Sequence, residues 1–577
     1  MKKILLIAIV AAAGAGAYLF NQQQTPSKAD VNNILEYVPA DTPIFTGMLD
    51  PFPLKEYLAS LPAMNIPDSP QAMETLYSDD DPRVNFFLNL FKSYQMGLQN
   101  PEQLLKTFGF PDKLRAYFYT LGLLPVFKIE VQDEQALWAL LDKNEQETGF
   151  TSTMGTLEKV NYRSYLLSET NDPAKLALIV AINNGMLTVT MNSAYQEATL
   201  LSTALGLTKV DNSLAQSGKI EQIIKTHDFS RASVGFINHV EIIKGMTTKN
   251  ANQLAGQITS LEKQFAEENA LAELHTPECA SELMSIANNW PNTVFGYTQL
   301  AINEKVSDVT IATVIESKNQ VILDALNSLR GYIPNFANDI NNNVFAMGLG
   351  IDVSQLGSTL NTIWSDLQTP SFTCPLLAQV QSEISLAGES VTMVSMGTAM
   401  VNSMKGLSVA LIDYQLNQEE ELPILENLDA LVTISTDQPQ LLFNSLKMFI
   451  PQLQTIQLEN NGTPVNLKEF VAIPQEYNID PKLAIKGKHI VIYTGKKGNE
   501  IADTLATEQL TANGLYSVTV DFKKMFNPLI SAAELAGESI PEEAEFLMDY
   551  DSRMKMNLDI NAQGIIFESR VNSKAAN

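Results

Sequence analysis

The chain has 577 residues and a formal net charge of -27, with 45% hydrophobic and 18% charged residues. That composition excludes a disordered chain and a polytopic membrane protein, and the length allows about two to four domains. The acidic excess argues against nucleic acid, whose binders cluster Lys and Arg to displace counterions, and against broad contact with anionic headgroups.

Lys2 and Lys3 precede an uncharged apolar run from Ile4 to Phe20. At ~1.5 Å per residue this run spans somewhat less than a hydrocarbon core of ~30 Å. The positive-inside rule keeps the lysines cytoplasmic and sends the rest of the chain across the membrane. Ala15-Gly16-Ala17 fits a signal-cleavage pattern, but Tyr18-Leu19-Phe20 prolongs the apolar run beyond it. The favoured expectation is a retained anchor over residues 1–20, contacting the inner membrane through residues 4–20, with a periplasmic body. Cleavage near Ala17, giving a periplasmic or secreted body, is the alternative. Residues 21–35 are polar and read as a tether.

The remainder repeats itself at a period of about 300 residues. TGMLDPFPLKEYL from Thr46 resembles GLGIDVSQLGSTL from Gly348, with Asp50 on Asp352. VFKIEVQD from Val126 matches a run ending in ISTD, with Asp133 on Asp437. AINNGMLTVTMN matches AIKGKHIVIYTG, placing Leu187 on Ile490 and Glu197 on Glu500. Two later blocks place Asn238 on Asp521 and Ile302 on Ile560, and the first half carries extra residues near 202–230 and 250–295. The expected fold is α+β: two antiparallel-sheet-plus-helix halves, residues 36–335 and 336–577, in tandem behind the N-terminal transmembrane or signal helix.

Local chemistry supports this class. The β-rich run Val126–Val131 ends at Asp133 and feeds an apolar-periodic stretch, a strand-to-helix junction. Asp50, Asp352, Asp133, Asp437, Asn238 and Asp521 are accordingly expected to cap helices, with Pro51 in a first turn. Asn184-Gly185 and Gly487-Lys488 occupy matching places and signal two-residue hairpins.

No metalloprotease, serine-hydrolase elbow or phosphate-loop motif occurs. Gly495-Lys496-Lys497-Gly498 is too short for a phosphate loop and reads as a helix start or turn. His227, His239, His275 and His489 stand outside the repeated pattern, so packing roles are expected. Asp79-Asp80-Asp81 lacks calcium-loop spacing. Asn461-Gly462-Thr463 matches a glycosylation acceptor, which the bacterial-style leader discounts. No catalytic, metal or cofactor residues are assigned. Phe86, Phe87, Leu90, Phe91 and Tyr94 recur at helical spacing, as do Met393, Met396, Met400 and Met404; both runs are expected in the core. The two cysteines, Cys279 and Cys374, lack metal-ligand spacing. In an oxidising compartment they form one disulfide or stay as two buried thiols.

Tyr37-Val38-Pro39-Ala40-Asp41-Thr42 follows the leader and tether, and LGLLPVFKIEVQD runs from Leu121. In these features the chain resembles uncharacterised Gram-negative envelope proteins of the domain-of-unknown-function type, with a single N-terminal anchor and a Y-(V/L)-P-A-D-T opening. The resemblance implies inner-membrane or periplasmic placement and no particular activity. The functional expectation is a non-catalytic module that binds or assembles with an envelope protein or a lipid-like amphiphile. A hydrolase built from distant residues and a structural subunit of an envelope complex are the alternatives.

Overall fold

A computed structural model describes residues 34–60, 81–98, 100–264, 271–417, 424–470, 479–535 and 551–574. The leader, most of the tether, Asp79 and Asp80 lie outside the described residues. Among those described, no helix is long and apolar enough to cross a membrane. The chain is α+β and divides into two compact units, Met1–Ile311 and Ala312–Asn577. This division lies ahead of residue 335, because the helix Gln320–Ser328 packs on elements of the second unit.

The first unit contains β1 (Ile44–Gly47), β2 (Ala116–Leu121), β3 (Leu124–Glu130), β4 (Thr153–Leu157), β5 (Val160–Leu166), β6 (Ala177–Asn183), β7 (Met186–Asn192), β8 (Val234–Asn238) and β9 (Asn292–Asn303). A further strand, β10 (Val306–Glu316), pairs with β9 and crosses the division. The antiparallel order is β4-β5-β6-β7-β3-β2-β1-β8-β9. Helices α1 (Leu54–Ser60), α2 (Pro82–Leu98), α3 (Pro101–Phe108) and α4 (Glu134–Thr148) supply the layer on one face. Phe86, Leu104, Leu105 and Leu137 from that layer join Ile129, Val180 and Leu187 from the sheet in one apolar cluster. The other face takes α5 (Ala198–Ala204), whose Leu201 packs on Ile179 and Ala181. Helix α6 (His239–Thr247) follows β8. Asn184 and Gly185 both have positive φ, 52° and 73°, as a two-residue type I′ turn requires.

The second unit contains β11 (Phe345–Leu349), β12 (Met404–Asn417), β13 (Ile424–Thr436), β14 (Val465–Asn466), β15 (Lys482–Lys486), β16 (His489–Thr494), β17 (Tyr516–Asp521), β18 (Ser552–Asn561) and β19 (Gly564–Lys574). Its antiparallel order is β14-β15-β16-β13-β12-β11-β17-β18-β19. Helices α7 (Val353–Leu367), α8 (Pro375–Ser385) and α9 (Gly388–Gly397) follow β11. Next come α10 (Pro439–Leu446) after β13, α11 (Gly495–Leu505) after β16 and α12 (Phe522–Leu535) after β17.

Each unit therefore has a central strand, β1 or β11, paired on both sides with strands distant in sequence. One alignment satisfies every ladder around it. Phe45 falls on Ala346, Tyr119 on Ala410, Val126 on Leu431, and Phe236 on Thr519. On β1 the pairing shifts by one residue against the sequence block, Gly47 rather than Thr46 taking the place of Gly348, while Leu187 on Ile490 and Asn238 on Asp521 keep the sequence register.

A strap precedes each central strand. In the first unit Leu214 N–H donates to the Val38 carbonyl at 2.7 Å, and Pro39 bridges Ser213. In the second, the Asn513 side chain accepts from Ile333 N–H and donates to the Ile333 carbonyl, each at 2.8 Å. Tyr37-Val38-Pro39 thus has a counterpart in Tyr332-Ile333-Pro334. The second strap lies so close to the sheet that a Cβ on Gly406 would strike the Tyr332 carbonyl.

Cys279 and Cys374 are disulfide-bonded, and both are fully buried. The bond closes a loop of roughly 95 residues, for which chain entropy assigns about 4 kcal/mol of stabilisation. Non-reducing peptide mapping should recover the two cysteines in one linked species, and Cys279→Ser should lower stability by several kcal/mol. Two freely alkylated thiols would contradict the bond.

Candidate functional site

Four of the six expected caps accept helix N–H groups. Asp133 accepts from Ala136, Asn238 from Glu241, Asp352 from Ser354 and Asp521 from Lys524, at 3.0–3.2 Å. Asp50 is a correction. Phe52 pairs with Leu114 and keeps the chain extended, so α1 starts only at Leu54 and Pro51 lies outside it. Asp50 sits instead 3.7 Å from the Arg231 Nε. Asp437 is a second correction: Gln438 precedes α10 without a side-chain cap. Asp437 and Asp352 instead converge on Lys405, whose Nζ lies 3.6 and 2.7 Å from them. Each carboxylate is thus committed to a cation.

The other singled-out motifs have structural partners. Gly495 opens α11, and Lys497 N–H donates to Asp429. Asp81 holds the Arg83 guanidinium through two oxygens. Asn461 accepts from Gly487 N–H. His239 contacts the Trp290 carbonyl and the Thr293 hydroxyl, while His227 stacks on Phe229. His275 lies 3.9 Å from a Glu262 oxygen. Among the described residues, no group of three or more His, Cys, Asp or Glu is placed to hold a metal.

Two buried cations were not evident from the pattern. Lys128 on β3 faces Tyr117 on β2 and Thr188 on β7. Its Nζ lies 2.8 Å from the Thr188 hydroxyl and the side chain is buried. Burial pushes its pKa down to about 7. A neutral lysine can serve as a nucleophile, but this one is sealed beneath the layer containing α5, and Thr433 takes its place in the second unit. His489 is likewise sealed: its Nδ1 meets the Ser435 hydroxyl at 3.0 Å, and Tyr332 of the strap lies over the ring. Burial, then Lys488, lowers its pKa to about 4.

The same sheet face is covered to different extents in the two units: in the second, Ile434, Leu483, Ile485 and Ile490 pack with Leu442 and Phe443 of α10, and neighbouring strand residues are more open. In the first unit Phe127 and Val189 pack against the α1–α4 cluster. On the same face of the second unit, Val432 and Ile492 are cross-strand neighbours, 40% and 41% exposed. Leu407, beside Ile434, is 39% exposed. Helices α8 and α9 carry exposed apolar side chains of their own. α8 has no buried residue. Met393 and Met396 on α9 are 63% and 66% exposed, and Met400 beyond it is exposed too. The expectation of a methionine core stripe is thus corrected. Its spacing crosses a helix, a 3-10 turn and, at Met404, a strand. By contrast Phe86 is buried, and Phe87, Leu90 and Tyr94 pack with it, while Phe91 is exposed. The exposed patch at Val432 and Ile492, and the exposed apolar side chains of α8 and α9, can each bind an apolar surface or chain; they supply no reacting group.

No protein-family model, curated protein or solved structure matches the chain.

Both buried cations have folded-state pKa values below their ordinary ones, so the unfolded chain binds more protons in the intervening ranges. Stability should fall as pH drops from 6.5 towards 4 through His489. It should rise by a few kcal/mol from pH 7 towards 10.5 through Lys128. Lys128→Met should flatten the alkaline rise in denaturant titrations; an unchanged slope would show that Lys128 is solvated.

Proposed function

We propose that the chain is a tandemly duplicated, non-catalytic envelope module that holds an apolar partner, a protein or an amphiphile, on the open sheet face of its second unit. The observation that carries this reading is the exposed pair Val432 and Ile492, set against Phe127 and Val189, which are partly buried against a helix layer. Exposing such a patch costs free energy that a bound partner would recover, at about 25 cal/mol per Å² of apolar area. The repeated strand order, the shared register and the two straps support duplication, in which one copy keeps its cover and the other opens it. The basic-then-apolar leader and the Tyr37-Val38-Pro39 opening support placement at the inner membrane with the body in the periplasm.

The full chain should bind a neutral apolar fluorescent probe, and a fatty acid or partner should displace it. Val432→Lys and Ile492→Lys should each weaken binding about tenfold or more while circular dichroism stays unchanged. Probe affinity indifferent to both substitutions would remove this site.

A further inference from the structure

We infer that the helical hairpin α8–α9 docks a basic amphipathic helix of a partner protein. The inference rests on the apolar-partner reading and names the partner's chemistry. Leu376 and Val380 stand one turn apart on α8, Met393 and Met396 stand about one turn apart on α9, and Met400 lies in the 3-10 turn beyond it; all five are exposed. Leu386, at 79% exposed, lies between the two helices. Methionine side chains are flexible and polarizable, so such a face adapts to the side chains of an incoming helix.

The hairpin is held at its base. Trp364 of α7 donates through Nε1 to the Ile384 carbonyl at 3.2 Å, and its ring lies against Gly388. Gln381 donates to the Leu367 and Pro370 carbonyls, both at 3.0 Å. Cys374, immediately before α8, is disulfide-bonded. A fixed base leaves the apolar side chains presented to solvent, where a partner avoids the cost of ordering them.

Charge selects the partner. Between Arg330 and Lys447 the chain has twelve carboxylates and one basic residue, Lys405. Lys405 is already committed to Asp352 and Asp437. From Pro375 to Val401 the charged residues are Glu383 and Glu389, both exposed. The exposed Glu383 and Glu389 disfavour an anionic bilayer and an acidic helix. A helix with one apolar stripe flanked by Lys or Arg satisfies both the methionine face and the carboxylates.

The test titrates the full chain with a labelled amphipathic Leu/Lys helix of about five turns. A Leu/Glu helix of the same pattern and a scrambled Leu/Lys peptide serve as controls. The Leu/Lys helix should bind about tenfold or more tighter than either control and weaken as ionic strength rises. Met393→Gln with Met396→Gln, and separately Glu383→Lys with Glu389→Lys, should each cost about tenfold in affinity at unchanged melting temperature. Equal binding by the scrambled peptide, or indifference to the methionine pair, would overturn the inference. So would binding to phosphatidylcholine vesicles with none to the peptide. If the peptide fails while the neutral probe still binds and responds to Val432→Lys, the broader reading stands without this partner. If the probe also fails, both fall.

Discussion

A β-sheet has two faces, and each needs its own cover before the apolar side chains on it are removed from water. In the second unit one face is closed by local means. Ile333 and Phe336 of the strap region and Leu505 of α11 pack over Ala346, Ala410 and Leu431. The small residues of β11 and β12 exist for this contact, since the strap backbone leaves no room for a side chain at Gly406. The opposite face depends on helices that follow the central strand. In the first unit those helices bring Phe86, Leu104 and Leu105 onto the sheet. In the second, α8 brings no buried side chain anywhere. Leu442 and Phe443 of α10 cover part of this face, over Ile434, Leu483, Ile485 and Ile490, while Val432 and Ile492 stay exposed.

Buried polar groups show the same division of labour. Lys128 and His489 lie on sealed sheet surfaces, each meeting one hydroxyl, and both are pushed towards their neutral forms. They lower stability in the pH ranges where they must charge, and neither can reach a substrate. The carboxylates at the strand ends act differently. Asp133, Asp352 and Asp521 hold helix N-termini, as does the amide of Asn238, and Asp352 also shares Lys405 with Asp437. Partly exposed pairs of this kind contribute about 1 kcal/mol or less each. They position elements at the strand ends.

Much of the fold was legible in the sequence because its signals are local. Asn184-Gly185 needs positive φ at both residues, and few other pairs permit it. Asp133 before an apolar-periodic run gives a cap whose oxygen reaches a nearby amide. Asp50 and Asp437 failed as caps because pairing beyond their own segments, by Phe52 with Leu114 and by Lys405, overrode the local preference. The second strap escaped notice because Tyr332-Ile333-Pro334 lacks the Ala-Asp-Thr that follows Tyr37-Val38-Pro39. Lys128 alternates in VFKIEV as an outward residue would, and only the layer over that face buries it. The open surface was least legible of all. Met393 read as core because hydrophobicity records what a side chain would gain from cover, not whether cover is supplied.

The central claim, that Val432 and Ile492 are open while their counterparts Phe127 and Val189 pack against a helix layer, is most directly tested by diazirine labelling of the full chain in solution, mapped by mass spectrometry. Peptides containing Val432 and Ile492 should label strongly, and those containing Phe127 and Val189 weakly. Equal protection of both pairs would contradict the account.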